Sequence, residues 1–296
     1  MGEHYTASGH LFPYVISCDE KKKRVTTMSK TTQYVAKVPD AHGSILYTDD
    51  EHEVWHTLYT RQLPHVQNRA CKEYLDGVDI LGLSADHIPQ CNEVSAILEQ
   101  RTGWGVEPVA ALISFDEFYT LLSNRRFPAA SFIRCKEELD YLEEPDIFHE
   151  IFGHCPLLTD QAFADFTEAF GKIGLATPKK DRALLARLYW FTVEFGLIQT
   201  ADGIRIYGGG IMSSFGETQY ALESEVPQRN AFSPMDALRT SYRYDIMQTL
   251  YYVINSFDDF YELVQQDIPT LLAKARKLGD FKPTFPPKED KGVWTC

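Results

Sequence analysis

Two histidines and a carboxylate lie close together in residues 145–154, which read PDIFHEIFGH. Neutral imidazole is the commonest side-chain ligand of metals such as iron, zinc and copper. A lone histidine among apolar neighbours more often only satisfies a hydrogen bond in the core. Two histidines within six positions, His149 and His154, with Glu150 between them, favour a metal site instead.

The spacing of these histidines restricts the metal chemistry. Zinc proteases carry H-E-x-x-H, in which the histidines are four residues apart on one helix face and the glutamate is the general base. His149 and His154 are five residues apart, which separates their rings by roughly 140° on a regular α-helix. The rings converge only if the helix loosens near its end, and Gly153 permits that. A zinc hydrolase with Glu150 as base stays open as an alternative, as does a non-catalytic helical binding protein whose histidines are structural.

A third ligand is expected where an acid is surrounded by apolar residues. Residues 184–197, LLARLYWFTVEFGL, have the pattern of a helix with Glu194 in its apolar half. Burying an ionised carboxylate without a partner is costly, and either a bound cation or an ion pair with Arg187 would remove that cost. Two imidazoles and a carboxylate on one side of a ferrous ion leave positions open for oxygen and a co-substrate, whereas zinc usually closes its shell at four ligands. The residues therefore favour an iron-dependent oxygenase.

Residues from about 34 to 281 resemble the catalytic domain of the pterin-dependent aromatic amino acid hydroxylases, most closely the bacterial, single-domain members that act on phenylalanine. The glycine-rich YGGG at residues 207–210 would by itself be typical of a plain turn. The resemblance depends on an ordered series of blocks: IPQCNEVSAIL (88–98), TGWGVEPVAALIS (102–114), SFIR (131–134), EPDIFHEIFGH (144–154), YWFTVEFGL (189–197), YGGGIMSSFGE (207–217) and LYYV (250–253).

The resemblance implies the cofactors and their ligands. His149, His154 and Glu194 match the family's ligands for Fe(2+). A tetrahydropterin co-substrate would stack on an aromatic ring and is expected at four positions: Phe118 as the stacking surface, Glu150 as a hydrogen-bonding partner, Ile113 and Tyr189.

The resemblance also implies a substrate site. Arg134 and Asp146 match a clamp in which a guanidinium grips the carboxylate of an amino acid. Trp190 and Phe195 match residues that line the ring pocket. Two further matches are Ser213, which steadies the first histidine, and Tyr242 near the mouth of the site.

The activity that follows is phenylalanine 4-monooxygenation, in which L-phenylalanine, O2 and the reduced pterin give L-tyrosine, in phenylalanine catabolism. Trp190 favours phenylalanine or tyrosine over tryptophan as substrate, and hydroxylation of tyrosine or tryptophan stays an alternative.

Two positions depart from the family pattern. Leu142 replaces a threonine of the animal enzymes, and Tyr244 stands where phenylalanine hydroxylases usually have a smaller residue. Since no regulatory module precedes the catalytic part and no tetramerising helix follows it, allosteric activation is not expected.

The elements that position these residues are mostly helical. The pattern predicts a mainly α fold with one catalytic domain over residues 35–281, a flexible leader over 1–34 and an irregular tail over 282–296. An N-cap at Thr48 precedes the first helix. Further helices are expected over 65–76, 92–101, 115–123, 145–154, 160–170, 181–198, 214–222, 234–254 and 256–277, with short strands over 109–113, 132–134 and 204–207.

Composition excludes several classes of protein. A net charge of −13 over 296 residues argues against a nucleic-acid partner, which needs a basic surface. No apolar run is long enough to cross a membrane. The six cysteines form no CxxC pair and are expected to be reduced thiols. A cytoplasmic monomer or small homo-oligomer is therefore expected.

Overall fold

The computed structural model describes residues 36–109, 113–140, 142 and 144–287. Within these residues the helices enclose a continuous hydrophobic core. The α-helices of this part are α1 (Asp49–Gln67), α2 (Lys72–Ile80), α3 (Cys91–Arg101), α4 (Phe115–Ser123), α5 (Gln161–Ala176), α6 (Lys179–Tyr189), α7 (Gly209–Met212), α8 (Phe215–Glu223), α9 (Pro234–Arg239), α10 (Asp258–Val264) and α11 (Ile268–Leu278).

The described strands form two small sheets. One sheet pairs β1 (Gly105–Val109) in parallel with β2 (Arg126–Ala130). The other has the order β4-β3-β6-β5 and contains β3 (Gly196–Thr200), β4 (Gly203–Ile206), β5 (Gln228–Ala231) and β6 (Leu250–Ile254). In this sheet β3 and β4 form an antiparallel hairpin, while β6 runs parallel to both β3 and β5.

Helix starts follow the local sequence. Thr48 and Glu51 form the capping box of α1: the Glu51 N–H donates to the Thr48 hydroxyl, and the Thr48 N–H donates to the Glu51 carboxylate at 2.7 Å. Three acids in the first turn of this helix face the positive end of the helix dipole. The N-cap predicted at Thr48 is confirmed.

Two π-helical segments of the described chain contain the predicted metal ligands. His149–His154 forms a π-helix that continues into a 3₁₀ helix, Cys155–Thr159. Trp190–Glu194 forms a second π-helix at the end of α6, directly before β3. Hence the chain leaves helical structure immediately after Glu194.

The prediction of a mainly helical fold with few strands is confirmed, but several boundaries are wrong. The helix expected over 234–254 ends at Arg239, because LYYVI pairs with strands on both sides as β6. The helix expected to reach residue 198 ends at Glu194, and the strand expected over 132–134 is formed instead by residues 126–130. The leader predicted for 1–34, most of the strand at 109–113 and residues 288–296 of the tail lie outside the described residues. Within the described part, no helix combines the length and the apolar character that crossing a bilayer requires.

Candidate active site

A π-helix brings the two histidines to one face. In the segment His149–His154 the backbone bonds join residues five apart, as in the Cys155 N–H that donates to the Glu150 carbonyl. Residues five apart therefore lie one turn apart, as residues four apart do in an α-helix. The rings meet because the whole segment widens, and not only because a helix end loosens at Gly153.

The second π-helix presents the acid. The Phe195 N–H donates to the Trp190 carbonyl at 2.9 Å, which closes one wide turn around Glu194. The Glu194 side chain is buried, with 2% of the residue exposed. This carboxylate faces the two imidazoles, although Glu194 lies about 40 residues further along the chain.

The three side chains converge on one point. The Nε2 atoms of His149 and His154 are 3.1 Å apart, and Glu194 oxygens lie 3.3 Å from His154 Nε2 and 3.8 Å from His149 Nε2. Two atoms bound at right angles to one metal ion at about 2.1 Å would be about 3 Å apart. Glu194 Oε1 is buried and has no hydrogen-bond partner among the described residues. This donor set and its spacing fit one metal ion.

Ser213 determines which nitrogen of His149 faces that point. The Ser213 hydroxyl lies 2.8 Å from His149 Nδ1 and donates to the Gly209 carbonyl at 3.0 Å. Because its single hydrogen is used there, the hydroxyl oxygen accepts from the Nδ1–H of His149. The lone pair of His149 is thereby left on Nε2, where a metal would bind.

Burial and charge give His149 and Glu194 the protonation states that a metal requires. Burial lowers the pKa of His149 to about 3, with the nearby His154 acting in the same direction. Burial acts to raise the pKa of the Glu194 carboxyl, but the two histidines outweigh it and the pKa lies below its ordinary value. Neutral imidazole and ionised carboxylate are the metal-binding forms.

Arg187 is not the partner of Glu194. Its guanidinium donates to both carboxylate oxygens of Asp280, at 2.7 and 2.8 Å, and to the Leu238 carbonyl at 2.8 Å. The ion-pair alternative for Glu194 is therefore wrong, and its buried charge faces the histidines.

The glycine run at residues 208–210 is more than a plain turn. A Cβ on Gly209 would lie 2.7 Å from Cγ of the His154 ring and closer still to Nδ1 and Cε1. A Cβ on Gly210 would lie 3.0 Å from a carboxylate oxygen of Glu194. Only residues without side chains allow α7 to approach the ligands this closely.

A cavity of about 320 Å³ opens beside the three ligands, at the lower end of the range for small-molecule sites. The two positions that depart from the family pattern, Leu142 and Tyr244, are both in its wall. Of the predicted site residues, those that line it are Arg134, His149, Trp190, Glu194, Phe195 and Ser213.

A buried ion pair connects the predicted substrate arginine to the metal site. Arg134 donates from Nε and Nη2 to the two oxygens of Asp146, at 2.8 and 3.0 Å. The same carboxylate accepts the backbone N–H of His149 at 3.0 Å. Asp146 is fully buried and does not line the cavity. It therefore orients Arg134, and only Arg134 reaches the cavity.

The structure does not bring the predicted pterin residues into this cavity. Phe118 is 2% exposed and packs edge-on against Tyr189, with ring centroids 5.2 Å apart. Ile113 and Glu150 are also buried, and residues 110–112 lie outside the described part. Tyr242, expected near the mouth, stacks on Trp190 at 4.0 Å and is absent from the cavity wall.

Sequence reasoning missed two buried polar residues: Glu217, which lines the cavity, and Gln248, which lies behind Trp190. Gln248 accepts the indole N–H of Trp190, and Glu217 accepts the backbone N–H of Gln248. Glu217 lies in the family block YGGGIMSSFGE, but the residues around it do not indicate that it binds the backbone of Gln248. The sequence pattern predicts a helix over 234–254, and a helix there does not indicate that Gln248 contacts Trp190.

Comparisons with known proteins agree with the resemblance. The model of a family described as biopterin-dependent aromatic amino acid hydroxylase matches residues 14–276. The chain is 55% identical over 260 residues to phenylalanine-4-hydroxylase of Pseudomonas aeruginosa, which covers 88% of this chain and 99% of that protein. A solved phenylalanine hydroxylase of Legionella pneumophila matches with a TM-score of 0.84 and 50% identity, over 85% of this chain and 100% of that one. A Chromobacterium violaceum phenylalanine hydroxylase with bound iron(III) and oxidised 7,8-dihydrobiopterin has a TM-score of 0.78 and 40% identity, over 86% and 93% of the two chains.

Proposed function

Because this chain belongs to the family of biopterin-dependent aromatic amino acid hydroxylases, we propose that it is a phenylalanine 4-monooxygenase that converts L-phenylalanine to L-tyrosine. The reaction uses O2 and a tetrahydropterin at a single non-haem Fe(2+). The observation that carries the proposal is the convergence of His149, His154 and Glu194 on one point, with His149 and Glu194 in the wall of a cavity.

The three converging side chains would hold the iron. Two neutral imidazoles and one carboxylate would leave the ion a net positive charge and room for further ligands. When bound, iron and pterin together supply the activation of dioxygen. Ser213 keeps the Nδ1–H of His149 engaged, so that His149 Nε2 stays aimed at the metal.

Arg134 would bind the carboxylate of the amino acid. Two of its nitrogens are held by Asp146, and Nη1 has no hydrogen bond among the described residues, so it is free to reach into the cavity. The ring would lie against Trp190 and Phe195, which line the cavity beside Glu194. Binding at these two ends orients the ring toward the metal. Leu142 offers no hydroxyl to the substrate, so Arg134 carries this anchoring.

The pterin positions stay a prediction from the family resemblance. Phe118, Glu150, Ile113 and Tyr189 would contact the co-substrate, with Phe118 as the stacking surface. Because Phe118 packs against Tyr189, the face of the Phe118 ring must be uncovered before a pterin can stack on it. A cytoplasmic location and a monomeric or small oligomeric state are likewise predictions from the sequence.

A zinc hydrolase would use Glu150 as the general base. Glu150 is 1% exposed and does not line the cavity, so it does not reach a water molecule there. This alternative has no support from the geometry.

Anaerobic loading with Fe(2+), followed by a phenylalanine assay with tetrahydropterin and O2, tests the proposal. We expect tyrosine to form, and we expect His149→Ala, His154→Ala and Glu194→Ala to lose both iron and turnover while staying folded. His56→Ala, which changes an exposed histidine of α1, is the matched control and should keep both. Full turnover by any ligand variant would refute the assignment of the ligands.

A competition between phenylalanine, tyrosine and tryptophan at equal concentrations tests the substrate. We expect phenylalanine to be hydroxylated fastest. If tyrosine or tryptophan were hydroxylated faster, that amino acid would be assigned as the substrate in place of phenylalanine, and the family chemistry would stand.

A further inference from the structure

Trp190 forms a wall of the cavity and has a single polar atom. Trp190 is 3% exposed, and its Nε1–H donates to Oε1 of Gln248 at 3.1 Å. An indole nitrogen is a donor only, so the direction of this bond is certain. Gln248 is itself buried, with 4% exposed.

The amide of Gln248 can take only one orientation. Its Nε2 donates to the carbonyl of Arg243 at 2.7 Å and to the carbonyl of Ile246 at 3.2 Å. Turning the amide over would place its oxygen against these two carbonyls and its NH2 against the indole N–H. All three hydrogen bonds would then be lost, so Oε1 must face Trp190.

Gln248 is also held through its backbone. Its N–H donates to Oε1 of Glu217 at 2.9 Å, and the Tyr251 hydroxyl donates to the same oxygen. Glu217 lies in α8, is 5% exposed and lines the cavity. The indole of Trp190 is thus connected through Gln248 to a helix on another side of the cavity.

Aromatic packing alone does not fix the indole. Trp190 stacks on Tyr242 with ring centroids 4.0 Å apart and planes within 9°, and Phe195 lies 4.5 Å away. Turning the indole over about its Cβ–Cγ bond would keep it in the same plane and stacked on Tyr242, whereas its N–H reaches Gln248 in only one of these two orientations. The bond to Gln248 is therefore what specifies the rotation of the indole.

We propose that Gln248 is a positioning residue that sets the width of the ring pocket by holding the Trp190 indole in one orientation, with Glu217 holding Gln248 in turn. The inference rests on the proposed function, because the substrate ring must lie against Trp190. Without this bond the indole turns, and the pocket discriminates less well between the single ring of phenylalanine and the larger ring system of tryptophan.

The test compares kcat/KM for phenylalanine and for tryptophan in iron-loaded Gln248→Leu, whose side chain offers no acceptor. We expect the preference for phenylalanine to fall about tenfold, in the range that pocket fit controls, with KM for phenylalanine rising more than kcat falls. In a Trp190→Phe background, which has no N–H to lose, Gln248→Leu should change the preference less than twofold.

Thr240→Val is the matched control, because Thr240 lies in the same connection between α9 and β6 as Gln248. The substitution breaks a buried hydrogen bond between Thr240 and the Tyr252 hydroxyl. It should lower the melting temperature without changing the preference. If Gln248→Leu does not fold, Gln248→Asn, which keeps the amide but is too short to reach the indole, decides the question with the same expected fall.

An unchanged preference in the folded Gln248 variant would overturn the inference, as would an equal fall in the Trp190→Phe background. A parent protein that hydroxylates no aromatic amino acid would overturn the proposed function and this inference with it. An active parent with an unaffected Gln248 variant would overturn the inference alone.

Discussion

Gly209→Ala should abolish tight iron binding without unfolding the protein. The new Cβ would lie 2.7 Å from Cγ of the His154 ring, whereas ordinary van der Waals contact begins near 3.4 Å. His154 is 2% exposed and lies against the Phe127 ring, with centroids 5.2 Å apart, so it has little free room. Relief of the clash requires the ring or α7 to shift by at least about 0.7 Å, more than three times the tolerance of about 0.2 Å for a metal–ligand bond.

The loss of iron affinity in Gly209→Ala should exceed the loss caused by removing a group that only contacts a ligand. Changes to such outer groups typically cost 10- to 100-fold in metal affinity. Because Gly209→Ala displaces a ligand itself, we expect the Fe(2+) dissociation constant to rise by at least about 100-fold. Anaerobic titration against a competing chelator measures it, and circular dichroism checks the fold.

Gly216→Ala is a control whose new Cβ also makes a contact shorter than van der Waals distance. Its Cβ would lie 2.7 Å from Cε of Met247, which is the end of a flexible and partly exposed side chain that can move away. Iron affinity should stay within twofold of the parent. If folded Gly209→Ala bound iron as tightly as the parent, the requirement for a glycine against His154 would be refuted.

Three further outcomes are expected. Ser213→Ala should weaken Fe(2+) binding about 10- to 100-fold, because Nδ1 loses the acceptor that fixes the tautomer; a chelator titration showing less than a threefold change would contradict this. Asp280→Asn should leave iron affinity unchanged and cost at most about 1 kcal/mol of stability by urea unfolding, since Arg187 pairs with this exposed carboxylate; loss of iron would mean that Arg187 acts on the metal site after all. Iodoacetamide at neutral pH should modify the exposed Cys135 in native protein, and peptide mass spectrometry should find the buried thiols, whose pKa burial raises, unmodified: Cys71, Cys91 and Cys155.

The ligand set was predictable because it depends on residue types that are costly to bury alone. Glu194 is an acid in an apolar segment, and His149 and His154 lie close together among aliphatic and aromatic neighbours. The π-helical turns were not predictable in the same way. Side-chain composition is similar for α- and π-helical turns, and the choice between them depends on tertiary contacts such as that of Gly153 with the Gly209 carbonyl.

Contacts between distant segments account for the rest of what the sequence left open. Residues 250–254, LYYVI, suit a strand or a buried helix equally, and only pairing with β3 and β5 decides between them. The role of Gly209 depends on His154, 55 positions earlier in the chain, and the role of Gln248 depends on Trp190. None of these pairs leaves a periodic pattern in a single sequence.

The widened turn at His149–His154 makes the metal site sensitive to chain length as well as to residue identity. Replacing Ile151 or Phe152 by another apolar residue preserves the number of peptide units between the imidazoles. Deleting one of them would return the histidines to the four-residue interval used by zinc proteases, and the backbone could then close an ordinary α-helical turn. A one-codon deletion here would thus change how the two imidazoles approach the metal, which makes this stretch a place where insertions and deletions are less tolerable than substitutions.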